Sequence, residues 1–153
     1  MKTIITCAMA MLLVVSGTVA AKSNFAKTNQ WVAGWAQGAD EYAAASKDDS
    51  VSVIISCDGS EPKELWFGMF TQSDDQPVSG AVSVTIDGKT YHNPFSAASL
   101  QNEATYRAFW NTLREAKTLS FTVGETTKEF TTNQLSKVLP AYGTPDFNCK
   151  LAF

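Results

Sequence analysis

The sequence predicts an α+β domain. It has a β-rich core of antiparallel strands, one amphipathic helix at about residues 102–117, a short C-terminal helix at about 132–140, and a single disulfide staple. Three observations predict this class. Val51, Val53, Ile55 and Cys57 alternate with Ser52, Ile54 and Ser56, and Val82, Val84 and Ile86 repeat the same period-two pattern of a half-buried strand. Tyr106, Phe109, Trp110 and Leu113 fall instead at i, i+3, i+4 and i+7, which is one face of a helix. Two cysteines remain once the leader has been set aside, and they have only one way to pair.

The leader comes first. Lys2 is a positive n-region, and Ile4, Ile5, Met9 and Met11 to Val15 form an apolar run broken by Ser16 and Gly17. Thr18-Val19-Ala20 and Val19-Ala20-Ala21 both satisfy the small-x-small rule for signal peptidase, so residues 1–21 read as a cleaved secretory signal. The run is well short of the roughly 20 residues that span a bilayer. Cys7 precedes the cleavage site and leaves with the signal. Residues 22–153 then form a single globular domain, beginning with a polar, loose tail at 22–30.

Trp31 to Ala45 is ambiguous, because its alanines favour helix while Lys47-Asp48-Asp49-Ser50 looks like a turn between strands. The strand from Val51 points Cys57 inward. Asp58 to Pro62 is a turn, and Glu64 to Gln72 reads as the next strand, with Leu65, Phe67 and Met69 on one face and Trp66 and Phe70 on the other. Ser73 to Gly80 is a loop. Asp87-Gly88 is a type I′ hairpin signal, since both central positions need positive φ, and its return strand runs from Lys89 to about His92. Asn102 can cap the amphipathic helix, with Glu103 at its positive end. Leu119, Phe121 and Val123 make a strand that turns at Gly124 into Lys128–Thr131. Thr131-x-x-Gln134 matches a capping box for a short helix carrying Leu135, Val138 and Leu139, closed by Pro140.

An exported chain with an even cysteine count pairs them, here Cys57 with Cys149. The rival readings lack parts. Zinc needs further ligands, and the single histidine, His92, has no spacing relation to either cysteine. A catalytic thiol needs a base.

Charge and motifs exclude several functions. Lys and Arg number 12 against 15 Asp and Glu, and losing Lys2 with the signal leaves 11 against 15, a formal charge of −4. No basic stripe exists to neutralise phosphates, so no nucleic-acid partner is expected. There is no phosphate-cradling loop, nucleotide fingerprint or zinc-helix motif, and no cofactor or metal is expected. Asp48-Asp49 and Asp74-Asp75 lie in predicted turns without the alternating acids of a calcium loop. His92 is the one obvious physiological-pH base, and a small secreted hydrolase built on it is the alternative function. No Gly-x-Ser-x-Gly elbow accompanies it.

The aromatics carry the main expectation. Four Trp, nine Phe and four Tyr are more large rings than a core of this size must hide. Trp110 belongs to the helix's apolar face. Trp31, Trp35, Trp66 and Phe70, with Asp74 and Asp75 in the adjoining loop, are the candidate partner-binding residues, because aromatic anchors dominate interfaces. The competing reading folds those rings back over the sheet as a cover.

Phe109-x3-Leu113-x2-Ala116-x2-Leu119-x-Phe121-x-Val123, then Phe130-x4-Leu135, then Cys149, resembles the pattern of small exported bacterial proteins with one disulfide, including the accessory proteins of type VI secretion loci. The resemblance implies a periplasmic or secreted accessory or binding role and carries over no catalytic residue. The expectation is a non-enzymatic module of the bacterial envelope that binds an envelope or secreted protein, as a secretion accessory, an immunity protein or an inhibitor.

Overall fold

The computed structural model describes residues 25–59 and 65–153. The expected signal at 1–21 lies outside the described residues. Strands β1 (Val32–Ala36), β2 (Ala39–Ala45), β3 (Val51–Asp58) and β4 (Leu65–Thr71) form an antiparallel sheet in the order β1-β2-β3-β4. A second antiparallel sheet has the order β6-β5-β7-β8, from β5 (Val82–Ile86), β6 (Lys89–His92), β7 (Leu119–Val123) and β8 (Thr126–Phe130). The helices are α1 (Ala97–Leu100), α2 (Glu103–Arg114) and α3 (Leu135–Val138). The fold is α+β and mostly strand, as the alternation predicts. None of these helices is long and apolar enough to cross a membrane.

The inner faces of the two sheets meet in one core. Val53, Ile55 and Cys57 come from the first sheet and Val84, Ile86, Phe121 and Phe130 from the second, all essentially without exposure. Phe67 of β4 bridges them, stacked on Phe121 at 5.3 Å and on Phe95 at 4.7 Å between ring centroids. Fully burying side chains of this size stabilises by roughly 1.5–3 kcal/mol each. Turn chemistry follows the sequence closely: Asp87 and Gly88 have φ of 50° and 83°, and the Asp87 carboxylate accepts from the Lys117 and Thr118 backbone N–H groups.

Helix α2 buries the predicted stripe of Tyr106, Phe109, Trp110 and Leu113, and the Asn102 side chain caps it by accepting from the Thr105 N–H at 2.9 Å. The same stripe holds the C-terminal tail. Tyr106 Oη donates to the Cys149 carbonyl at 2.6 Å, Trp110 Nε1 donates to the Pro140 carbonyl at 2.9 Å, and Trp110 meets Phe147 edge to face. Cys149 is bonded to Cys57 of β3 with their Cα atoms 4.6 Å apart, and both residues are fully buried. A disulfide of this kind belongs in a non-reducing compartment.

The alanine-rich segment resolves as strand. β2 is flanked by β1 and β3, and Ala43, Ala44 and Ala45 are all 0 % exposed. Beyond its last residue the chain keeps pairing: Ser46 bridges Phe130 of β8, and the Lys47 N–H donates to the Glu129 carbonyl at 2.9 Å. The turn that follows is organised by Asp48. Its carboxylate accepts from Ser46 Oγ, Ser50 Oγ and Lys128 Nζ, and these contacts, that from Lys128 foremost, hold it well below the usual carboxylate range.

Three expectations need correction. Residues 25–30, expected within a loose tail, are tied down: the Lys27 carbonyl accepts from the Ala45 N–H, the Asn29 carbonyl accepts from Asn133 Nδ2, and the Phe25 ring lies against Gly34. The Thr131-x-x-Gln134 capping box does not form. Thr131 Oγ1 accepts from the Asn133 N–H instead, and Gln134, at φ 65°, opens α3 without a side-chain cap, so the helix is a single turn within the expected 132–140. Ser52, expected to face solvent, is 0 % exposed between its cross-strand neighbours Ala45 and Phe70.

Candidate functional site

In the register of the first sheet, Trp66, Gly68 and Phe70 of β4 share the outer face with Ser52, Ile54 and Ser56 of β3. Trp66 is 50 % exposed and Phe70 half-buried, their centroids 5.8 Å apart at 44°. Gly68 makes this arrangement possible. A Cβ there would stand 2.3 Å from the Trp66 ring and 2.8 Å from the Phe70 ring, so its absence lets both rings lie down on the strand between them. Such ring pairs contribute about 0.5–1.5 kcal/mol beyond their burial. β4 is the last strand of its sheet, and its outer face carries an exposed aromatic surface with Ile54 half-buried beside it.

The loop after β4 runs back along the same edge. The Thr71 N–H donates to the Gln76 carbonyl, the Val78 N–H donates to the Met69 carbonyl, and Phe70 bridges Pro77. Asp74 shapes that loop. Its carboxylate accepts from the Thr71 hydroxyl and from Ser73 Oγ, contacts that hold its carboxyl below the ordinary range. Asp75 adopts φ 53° in the same turn. Trp66, Phe70, Asp74 and Asp75 thus lie along one strand and the loop that continues it.

The other two candidates lie elsewhere. Trp31 is 1 % exposed, donates from Nε1 to the Thr131 carbonyl at 2.8 Å, and packs towards Phe121, so it is a core residue and contributes nothing to a surface. No periodic cue marks its burial, because Trp31 precedes β1. Trp35 is 72 % exposed but sits in β1, at the far edge of the sheet from β4 and on its opposite face, directly across from Asp40. The rings expected to form one surface form two separate features. Sequence reading also missed Gly68, for which the signal was a glycine flanked by aromatics at i−2 and i+2 in a strand.

His92 is exposed at the end of β6, opposite Ser83 on the solvent face of the second sheet. Among the described residues no carboxylate hydrogen-bonds to its imidazole, so the third group that would orient a catalytic base is not in place. Around it that face is lined with hydroxyls, among them the Thr85–Thr90 and Thr122–Thr127 pairs at 2.9 Å. Among the described residues no three His, Cys, Asp or Glu side chains converge where they could hold a metal ion.

The YfjT family model matches residues 29–139. That stretch takes in both sheets, α2 and Cys57, and stops short of the Cys149 tail. No curated protein and no solved structure matches the chain.

Proposed function

We propose that this chain, which belongs to the YfjT family, is an exported, non-enzymatic module that binds another envelope or secreted protein through the outer face of its first sheet. The observation that carries the reading is the Trp66–Phe70 pair, held open to solvent on a rigid strand over Gly68. Large aromatic rings on a pre-shaped surface are the anchors that dominate protein interfaces, and these two sit beside a half-buried Ile54 with a polar loop at the rim. Export is supported by the Cys57–Cys149 bond and by the leader-like residues 1–21. The periplasm of a bacterial envelope, or the medium, is the compartment this favours. A secretion accessory, an immunity protein and an inhibitor all fit such a surface.

The test is affinity capture from envelope extract with the mature domain, in parallel with Trp66→Ala and His92→Ala. The expected result is one saturable partner that Trp66→Ala loses and His92→Ala keeps. No saturable partner, or capture indifferent to Trp66, would sink the proposal. Loss of biological activity in His92→Ala with capture intact would favour the hydrolase reading.

A further inference from the structure

We infer that a groove between the β1–β2 hairpin and the C-terminal tail binds a neutral saccharide, with Trp35 as its stacking platform. The groove has a volume of about 510 Å³ and opens on the face of the first sheet opposite the Trp66–Phe70 pair. One wall is the end of the hairpin, with Asp40 and Tyr42; the other carries Lys137, Asp146 and Asn148. The inference does not depend on the protein-binding reading.

Tyr42 is the first observation. Only 6 % of the residue is exposed, it lines the groove, and among the described residues its hydroxyl has no hydrogen-bond partner. The oxygen is reached by solvent although the ring is buried, so the hydroxyl is free to donate to, or accept from, a ligand hydroxyl in the groove. Burial, with the Asp40 and Asp146 carboxylates adding to it, pushes its pKa up to about 12, so it stays protonated and able to donate.

Trp35 is the second and independent observation. Its indole is 72 % exposed on a two-stranded hairpin, and it lies directly across from Asp40, as Ala33 does from Tyr42. Directly opposed cross-strand residues have Cβ atoms about 5 Å apart, so Trp35 stands next to Asp40, a lining residue, on the sheet face where the groove opens.

The mixture of polar groups selects the ligand class. Asp40 accepts from Asn148 Nδ2 at 2.8 Å, which orients the carboxylate and the amide as neighbouring acceptor and donor. Asp146 adds acceptors, and Lys137 and Tyr42 add donors. A cation would use the acceptors alone and be repelled by Lys137. An anion would meet two carboxylates. A sugar ring presents hydroxyls that each donate and accept, and an apolar face of C–H groups suited to an exposed indole.

The test is calorimetric titration of the full-length mature protein, disulfide intact, with four probes: N-acetylglucosamine, its β-1,4-linked disaccharide, maltose and cellobiose. At least one is expected to saturate with a Kd of about 1 mM or tighter. Tyr42→Phe keeps the ring and removes only the hydroxyl, and is expected to weaken binding about tenfold. Trp35→Ala, at an exposed position that costs the fold little, should weaken it at least as much. Trp66→Ala should leave it unchanged, so failure here is separable from failure of the protein-binding proposal. Three results would overturn the inference: no probe saturating by ~10 mM; binding that both Tyr42→Phe and Trp35→Ala leave intact; or saturation by arginine amide, tried as a cationic control, with no response to the sugars.

Discussion

Reducing the Cys57–Cys149 bond is expected to weaken the fold substantially without abolishing it. The cysteines are 92 residues apart, and the chain-entropy relation for a closed loop of that length gives about 4.6 kcal/mol of stabilisation at 25 °C. The contacts that dock the tail do not require the bond. Tyr106 Oη to the Cys149 carbonyl, Trp110 Nε1 to the Pro140 carbonyl, and the Trp110–Phe147 packing all remain available to a chain with two thiols. For a domain of this size the loss corresponds to a melting temperature lower by about 15–20 °C. The assay is equilibrium urea unfolding followed by tryptophan fluorescence, for which buried Trp31 and Trp110 provide the signal. The reduced sample is refolded from denaturant in the presence of a phosphine reductant, so that access to the buried bond does not limit the measurement. The reduced chain should also show a larger denaturant slope, because its unfolded state is no longer held compact. A change below ~1 kcal/mol would refute the loop-constraint reasoning. A reduced chain with no cooperative transition would refute the claim that the aromatic contacts hold the tail by themselves.

Trp31→Phe should destabilise by about 2–3 kcal/mol in the same assay, since it removes buried volume and leaves the Thr131 carbonyl without its donor; a neutral result would mean the residue is not the core member described above. Gly80→Ala should cost about 3 kcal/mol or more, because Gly80 has φ 141° and a Cβ there would stand 2.3 Å from the Gly124 Cα, backbone that has no rotamer to yield. Asp48→Asn should show its effect by pH. The folded-state pKa of Asp48 lies below its unfolded value, so its contribution is fully present above the ordinary carboxylate pKa of ~3.9 and fades as the pH falls through that value towards the folded one. The melting-temperature difference between wild type and variant should therefore be flat from neutral pH to about pH 5 and shrink by about pH 2; a difference unchanged across that range would contradict the assignment.

Where one face of an element is buried and the other wet, the sequence carried the answer. Val82–Ile86, Leu119–Val123 and the α2 stripe alternate or recur because solvent lies on one side of each, and Asp87-Gly88 specifies its own turn. β2 has no such contrast. Ala43, Ala44 and Ala45 are all buried in an interior strand, so no period survives and helix propensity gives the wrong hint. Ser52 failed for a related reason, since a serine is read as solvated unless its neighbours across the sheet are known. The Thr131–Gln134 box shows the limit of a short motif: its residues were suited to a cap, but Thr131 turned to Asn133. The candidate surface was partly legible. Trp66 and Phe70 separate from Leu65 and Phe67 by parity alone, whereas burial of Trp31 and the distance of Trp35 from β4 depend on tertiary packing. Asp40 and Tyr42 lay in the segment whose period could not be read, and their relation to Asn148 spans more than a hundred residues.

Because the chain that leaves β2 goes on through Ser46 and Lys47 to pair with β8, one continuous stretch of backbone is stitched into both sheets. Neither sheet can fray past that seam without pulling on the other, so the domain should lose its structure as one unit. Anything that grips the first sheet, on its aromatic face or in the groove behind it, would then be felt as protection from exchange at amides of β8, a strand that no ligand at either place would touch.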